Sequence, residues 1–287
     1  MEFTYSGKDH VLRGMRGKKV HLMNKGQLQK VLVHNPQLCM LQIMGSQGVE
    51  PTPSICSLQG VTAETEDCRE LQALLQYYED IFEEAKELPP SRGSFDHRIP
   101  LVQGTNPFSI RPYRYPLKQK NIIKGLVHEM LDKGVIQHSS SPFASPVVLV
   151  GEKDGTWRMC VDYIKLNKHT IKDKFPIPVV EELIDELAGA MVFSKIDLRS
   201  GYHQIRMHKD DVMKTAFKAH HGHFEFLVMP FGLSNAPATF QSLVNCIFRT
   251  LLRKYVLVFF DDILISSKTI SDHVQQLALV FNIMRQH

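Results

Sequence analysis

The chain has 287 residues, of which 43% are hydrophobic and 22% charged, a composition that excludes a wholly disordered protein and allows a sizeable core. The formal net charge of +4 is too small to indicate nucleic-acid binding by itself, and no run of eighteen apolar residues predicts a membrane-spanning helix. The five cysteines are odd in number and form no C-x-x-C pair, which argues against a disulfide scaffold or zinc finger and favours an intracellular chain.

Charge is unevenly distributed along the chain. Residues 61–100 carry 10 acidic and 4 basic side chains, whereas residues 101–170 carry 10 basic and 5 acidic ones. Such a basic segment is what a protein uses to follow a phosphate backbone, and it is also what a solvated charged surface looks like. Charge alone leaves both interpretations open.

The first 60 residues are poorly patterned, and we predict a partly ordered extension there. A helix is predicted over Thr65–Glu87, because its apolar residues fall on one face and two prolines follow it. Residues 91–115, rich in proline and glycine, are predicted to be extended and irregular. A second helix begins after Pro116, and Gly134 is placed to cap its C-terminus.

From residue 135 onward the pattern changes to short strands mixed with helices. The predicted strands are Val147–Val150, Trp157–Val161, Val192–Asp197, Lys214–Lys218, His223–Val228, Val256–Phe260 and Ile263–Ser266. The predicted helices are Val179–Ala188, Ala236–Leu252 with Asn235 as its N-cap, and His273–Met284. This mixture indicates an α+β fold with an antiparallel sheet.

The predicted domains follow these changes in pattern. They are an N-terminal, spacer-like extension at residues 1–60, an acidic helix with an extended linker and a further helix at residues 61–138, and an α+β segment at residues 139–287.

Two apolar strands end in carboxylates. Asp261 and Asp262 follow one such strand, and Asp197 ends another. Taken singly, these are ordinary turn or helix N-cap residues. If both strand ends share one edge of a sheet, three converging carboxylates would repel each other unless cations neutralised them. Mg²⁺ prefers hard oxygen ligands, and a pair of such ions supports phosphoryl transfer.

Several longer motifs occur in order through the same part of the chain. They are SPFASPVVLV at 141–150, KDGTWRMCVDY at 153–163, LNKHT at 166–170, FPIP at 175–178, FSKIDLRSGYHQI at 193–205, KTAF at 214–217, FLVMPFGLSNAPATF at 226–240 and FFDDIL at 259–264. Together they resemble the reverse transcriptase of LTR retrotransposons, in particular the gypsy (metavirus) group of plants. The resemblance covers roughly two thirds of the chain.

The resemblance implies a right-hand polymerase fragment, with fingers and an antiparallel palm sheet and with the thumb missing. It implies an RNA-directed DNA polymerase that joins deoxynucleoside triphosphates to a primer on an RNA or DNA template, using two Mg²⁺ ions for which Mn²⁺ substitutes. The alternative is an inactive transposon remnant that at most binds nucleic acid. No membrane partner is expected. The implied location is the cytoplasm, virus-like particles or the nucleus, and the implied partners include the ribonuclease H and integrase domains of a longer polyprotein.

The resemblance also assigns roles to individual residues. Asp197, Asp261 and Asp262 would be the catalytic metal-binding carboxylates, and the carbonyl of Leu198 would complete the metal shell. Tyr202 would exclude a 2′-hydroxyl from beneath the sugar of the nucleotide. The remaining nucleotide-binding residues would be Lys153, Arg158, Ser200, Gly201 and Phe231, and the template and primer side would include Phe259, Phe260 and Gly232.

Three positions depart from the pattern of this group. Phe259 stands where the signature has tyrosine and loses one hydroxyl donor. Glu152 replaces a lysine before the Asp-Gly turn, and Ile164 replaces an arginine. The second and third changes would weaken contacts with the nucleotide and the template strand.

Overall fold

The structure is a computed structural model. It describes residues 2–5, 8–11, 39–43, 66–83, 87–151, 155–176, 180–198, 201–259 and 262–287. The chain divides into two units, Met1–Leu38 and Cys39–His287. In the first unit, β1 (Glu2–Tyr5) pairs antiparallel with β2 (Lys8–Val11). The domain boundaries expected near residues 60 and 138 stay predictions.

The second unit contains strands and helices in mixed order. Its strands are β3 (Cys39–Ile43), β4 (Ile136–His138), β5 (Ser145–Gly151), β6 (Trp157–Val161), β7 (Val192–Asp197), β8 (Phe217–Ala219), β9 (Gly222–Phe226), β10 (Val256–Phe259) and β11 (Asp262–Ser267). Its α-helices are α1 (Glu66–Tyr77), α2 (Leu117–Asp132), α3 (Ile164–His169), α4 (Val180–Asp185), α5 (Ala236–Ile247) and α6 (Ile270–Gln286). Short 3₁₀ helices occupy Glu79–Phe82, Gly93–Phe95, Gly201–Gln204 and Val212–Thr215.

Two sheets organise this unit. The four-stranded sheet has the order β10-β11-β7-β3, in which β11 is antiparallel to both β10 and β7, and β3 is parallel to β7. The five-stranded sheet has the order β4-β9-β8-β5-β6, in which only the β5–β8 pair is parallel. The expected α+β fold with antiparallel sheets is therefore confirmed.

The four-stranded sheet buries one face against α6. Ser194 and Ile196 on β7 are buried, as are Ile263 and Ile265 on β11. Because successive side chains of a strand point to opposite faces, the intervening residues of both strands point away from the buried face. The carboxylates of these strands therefore lie on the face away from α6.

Helix boundaries follow local signals in some places and tertiary contacts in others. α2 ends before Gly134, whose positive φ of 66° suits glycine as a terminator, as expected. The helix predicted over Thr65–Glu87 is too long, because α1 ends at Tyr77 and a 3₁₀ turn follows. The Tyr78 and Phe82 rings pack on Phe281 of α6, so tertiary packing is satisfied here by a 3₁₀ turn and not by further turns of α-helix.

The helix predicted over Ala236–Leu252 is also too long. α5 ends at Ile247, and the chain then turns through Arg253, whose φ of 60° is outside the helical region. Asn235 occupies the predicted N-cap position but makes no side-chain cap hydrogen bond. Its side chain donates to the carbonyl of Ile171 and accepts from the amide of Asp173 instead.

Residues 88–115 form an extended segment that matches the irregular structure predicted over residues 91–115, except for the 3₁₀ helix Gly93–Phe95. His97 exchanges backbone hydrogen bonds with Arg206 and His208, and Met207 between them donates to the carbonyl of Leu227, just beyond β9. Further along, the Tyr115 hydroxyl donates to the carbonyl of Val147 on β5. The segment is thus held along the five-stranded sheet.

Among the described residues, no helix has both the length and the apolar character needed to cross a membrane.

Candidate functional site

Asp197 and Asp262 face each other across two adjacent strands. Asp197 ends β7, Asp262 begins β11, and the antiparallel register pairs them directly. Cross-strand partners place their Cβ atoms about 4.5–5.5 Å apart on one face. Lys195, two residues earlier on the same face, makes an ion pair with Asp262 in which Nζ and Oδ1 are 2.9 Å apart. The structure therefore brings together two of the three predicted catalytic carboxylates.

The third carboxylate, Asp261, lies outside the described residues. Within the described ranges, no group of three or more His, Cys, Asp or Glu side chains is placed to hold a metal ion. The donor set nevertheless suits Mg²⁺, because two carboxylates at one sheet edge are hard oxygen ligands and Asp262 is open to solvent, with 43% of its side chain exposed. Asp261 adjoins this pair in sequence.

A tight turn follows Asp197. The amide of Gly201 donates to the carbonyl of Leu198 at an N–O distance of 3.0 Å. A Cβ atom on Gly201 would lie 3.1 Å from the Phe240 ring and 3.3 Å from the Leu198 Cβ, so a larger residue would require these side chains to shift by a few tenths of an ångström. Use of the Gly201 amide for a phosphate would require this turn to open, and that role stays a prediction.

An aromatic cluster lies next to this turn. The buried Tyr202 ring is 4.9 Å from Phe231 and 5.3 Å from Phe240, measured between ring centroids. The guanidinium carbon of Arg158, on β6 of the five-stranded sheet, lies 5.9 Å from the Phe231 centroid. That distance suits a cation–π contact. Three predicted nucleotide-binding residues from distant parts of the chain are thus placed together.

The loop that carries Phe231 is fixed by two asparagines that the sequence analysis did not assign to the site. Asn167 donates to the carbonyl of Gly232 at 2.8 Å and accepts from the amide of Ser234 at 2.9 Å. Gly232 has a positive φ of 92°, which lets the chain turn between these two bonds. Asn235 ties the end of the loop to residues 171–173. In the sequence, the signals for these roles were an asparagine directly after a leucine, at position 167, and an asparagine directly before a predicted helix, at position 235.

The other predicted residues are less fully placed. Phe259 is half-buried and pairs with Asp262 in the β10–β11 register. Lys153, Ser200, Phe260 and Glu152 lie outside the described residues. Ile164, at the start of α3, is 63% exposed, so the arginine it replaces would have been at the surface.

His203 lies beside the cluster, with its ring 5.6 Å from the Phe231 ring. Burial, together with the positive charge of Lys133, lowers the pKa of His203 to about 4. The imidazole is therefore neutral at physiological pH and packs as an apolar ring.

Comparison with known proteins identifies the family. Residues 150–287 match the model for "Reverse transcriptase (RNA-dependent DNA polymerase)". The chain is 40% identical, over 75% of its length, to the retrovirus-related Pol polyprotein from transposon 297 of Drosophila melanogaster, of which it covers 21%. It is 37% identical, over 72% of its length, to the transposon Tf2-3 polyprotein of Schizosaccharomyces pombe, of which it covers 16%. The chain thus spans about a fifth of these relatives.

Solved structures agree on the fold. The protease-reverse transcriptase of prototype foamy virus matches 78% of this chain and 30% of its own, with 25% identity and a TM-score of 0.68. The foamy viral enzyme in complex with an RNA/DNA hybrid matches 94% of this chain and 33% of its own, with 22% identity and a TM-score of 0.69. Residues 150–287 therefore match a reverse transcriptase domain of the kind found in transposon Pol polyproteins, with a palm-like four-stranded sheet and a fingers-like five-stranded sheet.

Proposed function

We propose that this chain synthesises DNA on an RNA or DNA template as the fingers and palm of a gypsy-type LTR retrotransposon polymerase. The observation that carries the proposal is the register that opposes Asp197 and Asp262 on the open face of the palm-like sheet. An aromatic cluster beneath Arg158 lies beside the turn that follows Asp197. A carboxylate pair beside an apolar aromatic cluster and a cation is suited to a nucleoside triphosphate.

The carboxylates would hold the metal ions. Asp197, Asp262 and their neighbour Asp261 would bind two Mg²⁺, or Mn²⁺ in substitution, and the Leu198 carbonyl has a second lone pair for one of them. When bound, such ions activate an attacking hydroxyl and stabilise charge on the reacting phosphate. The protein's own contribution is to fix the two strands so that their oxygens converge.

The aromatic cluster would position the nucleotide. Tyr202 and Phe231 would lie against the sugar and base, and Tyr202 would exclude a 2′-hydroxyl. Arg158, with Lys153 on the same hairpin, would bind the phosphates, and the amides of Ser200 and Gly201 would follow if their turn opens. The residues expected on the template and primer side are Phe259, Phe260 and Gly232.

The proposed polymer partner is a primer annealed to a template strand. The foamy viral relative has been solved with an RNA/DNA hybrid and with double-stranded DNA, on the same fold. Arg158 and Lys153 would supply part of the positive charge that nucleic acid and nucleotide require.

Primer extension tests this function directly. The full chain would be given an RNA template, a DNA primer, deoxynucleotides and Mg²⁺, and compared with Asp262→Asn and Asp197→Asn. We expect extension by the parent chain and a loss on the order of 100-fold or more in each variant, because each replaces a charged metal-binding carboxylate with a neutral amide.

The control is Asp210→Asn. Asp210 is a carboxylate with 82% of its side chain exposed, paired with His208 rather than with the site. It should retain extension activity. A folded parent chain without any extension activity would instead favour an inactive remnant that binds nucleic acid.

A further inference from the structure

Lys195 occupies an unusual position for a lysine. It lies within β7, which is paired with β11 on one side and with β3 on the other, and lysine is depleted in strands. Its directly opposite partner is Leu264, so its ammonium group reaches diagonally along the sheet to Asp262. The side chain is only 33% exposed, which places its charge close to the sheet surface.

Without Lys195, two negative charges would face each other on the surface of the palm-like sheet that lies away from α6. Asp197 and Asp262 are directly opposed, and like charges in that arrangement destabilise a strand pair. The ammonium of Lys195 lies 2.9 Å from Oδ1 of Asp262 and offsets part of that repulsion. A divalent cation bound to the same carboxylates would also offset their repulsion, and it carries twice the charge of an ammonium group. Lysine and metal therefore compete for the same oxygen.

We propose that Lys195 is a built-in counter-ion of the palm carboxylates. In the metal-free protein it neutralises Asp262, and it leaves that oxygen when a divalent cation binds. Lys195 thereby stabilises the empty site and weakens its affinity for metal. The inference rests on the proposed function, because it takes Asp197 and Asp262 as metal ligands.

Metal binding by the full chain tests this inference without an activity assay. Free Mn²⁺ would be measured by electron paramagnetic resonance during titration of the parent chain and of Lys195→Met, which keeps the side-chain length and removes the charge. We expect Mn²⁺ to bind Lys195→Met about tenfold more tightly, since a unit positive charge within several ångströms of the ion has been removed. The melting temperature of Lys195→Met without metal should be lower, and Mn²⁺ should raise it further than in the parent.

Two further variants separate charge from shape and location. Lys195→Arg keeps the charge and should bind Mn²⁺ like the parent. Lys133→Met removes a lysine of similar exposure, 35%, whose Nζ lies 2.7 Å from Glu129 on α2, and it should leave Mn²⁺ affinity unchanged. In an Asp262→Asn background, Lys195→Met should no longer tighten binding, because the negative charge that the lysine and the metal share is absent.

The outcomes distinguish the inference from the function on which it rests. Unchanged or weaker Mn²⁺ affinity in Lys195→Met would overturn the counter-ion role while leaving the metal site in place. A parent chain that binds no Mn²⁺, or binds it independently of Asp197 and Asp262, would overturn the proposed metal site and the inference together.

Discussion

At the scale of single residues, Asn167 holds part of the site in position without needing to contact substrate. Its amide makes two hydrogen bonds, to Gly232 and Ser234, on either side of the turn that follows Phe231. Phe231 in turn packs against Tyr202 and lies under Arg158. The position of the aromatic cluster around Phe231 therefore depends on a residue from α3.

Asn167→Ala should weaken nucleotide binding more than it slows chemistry. Loss of two hydrogen bonds of about 1 kcal/mol each would free the turn, and we expect the KM for deoxynucleotide to rise about tenfold. Because the carboxylates are untouched, kcat should change by less than about threefold. Steady-state primer extension measures both quantities.

Two further variants serve as comparisons for Asn167→Ala. Asn167→Asp keeps the acceptor for Ser234 and loses the donor to Gly232, so its KM should be intermediate. Asn121→Ala, at an exposed position on α2, is the control and should be unchanged. A fall in kcat without a rise in KM would contradict the positioning role.

At the scale of elements, a buried polar chain joins α6 to the palm-like sheet. His273 on α6 contacts Ser194 on β7 through Nε2 and Ser267 on β11 through Nδ1, each at 2.7 Å. Ser267 donates its own hydroxyl proton to Gln276 at 2.6 Å. Since that proton is used, Nδ1 must carry the imidazole proton and Nε2 must accept from Ser194. Every buried group in the chain of contacts is thus satisfied.

His273→Ala should destabilise the protein by about 3 kcal/mol. The change leaves two buried hydroxyls without this partner and creates a cavity beneath the sheet. Equilibrium unfolding in urea measures the loss. His128→Ala, at an exposed site on α2 with 76% of the side chain exposed, should change stability by less than about 0.5 kcal/mol. Equal effects of the two variants would show that the buried chain contributes nothing.

Sequence patterns were least informative about where each helix or strand begins and ends. The strand Val192–Asp197 was predicted at its observed bounds, because alternation is a local property. The ends of α1 and α5 were not, because aromatic packing on Phe281 and the turn at Arg253 depend on distant or backbone-specific contacts. Asn235 illustrates the same limit, since its side chain is used by residues 171–173 rather than by its own helix.

At the scale of the whole molecule, buried neutral histidines set the response to acid. Burial lowers the pKa values of His97, His203 and His273 to about 4, from an ordinary value of 6.5. Between those pH values the unfolded chain binds more protons than the folded one, so stability rises with pH there. Each histidine adds a slope of at most about 1.4 kcal/mol per pH unit.

Stability should therefore fall as the pH is lowered from 6.5 towards 4. Thermal unfolding at several pH values would measure the decline, with the steepest loss below pH 6. The variant His273→Asn, whose amide replaces the Nδ1 donor without a titrating group, should show a shallower slope. A melting temperature that stays constant from pH 7 to 5 would contradict the buried neutral state of these side chains.

The sequence by itself predicted the resemblance to reverse transcriptases, the mixed fold, most of the strands and the candidate site residues. It could do so because motifs, alternation and strand-ending carboxylates are local features, readable within a few positions.

Only the tertiary structure decided which of those residues meet. The register that opposes Asp197 and Asp262, the diagonal reach of Lys195 and the Arg158–Phe231 contact each join segments that are distant in sequence or depend on strand alignment. A shift of one residue in that register would have sent one carboxylate to the buried face. Register is set by the packing of the whole core, and local pattern does not encode it.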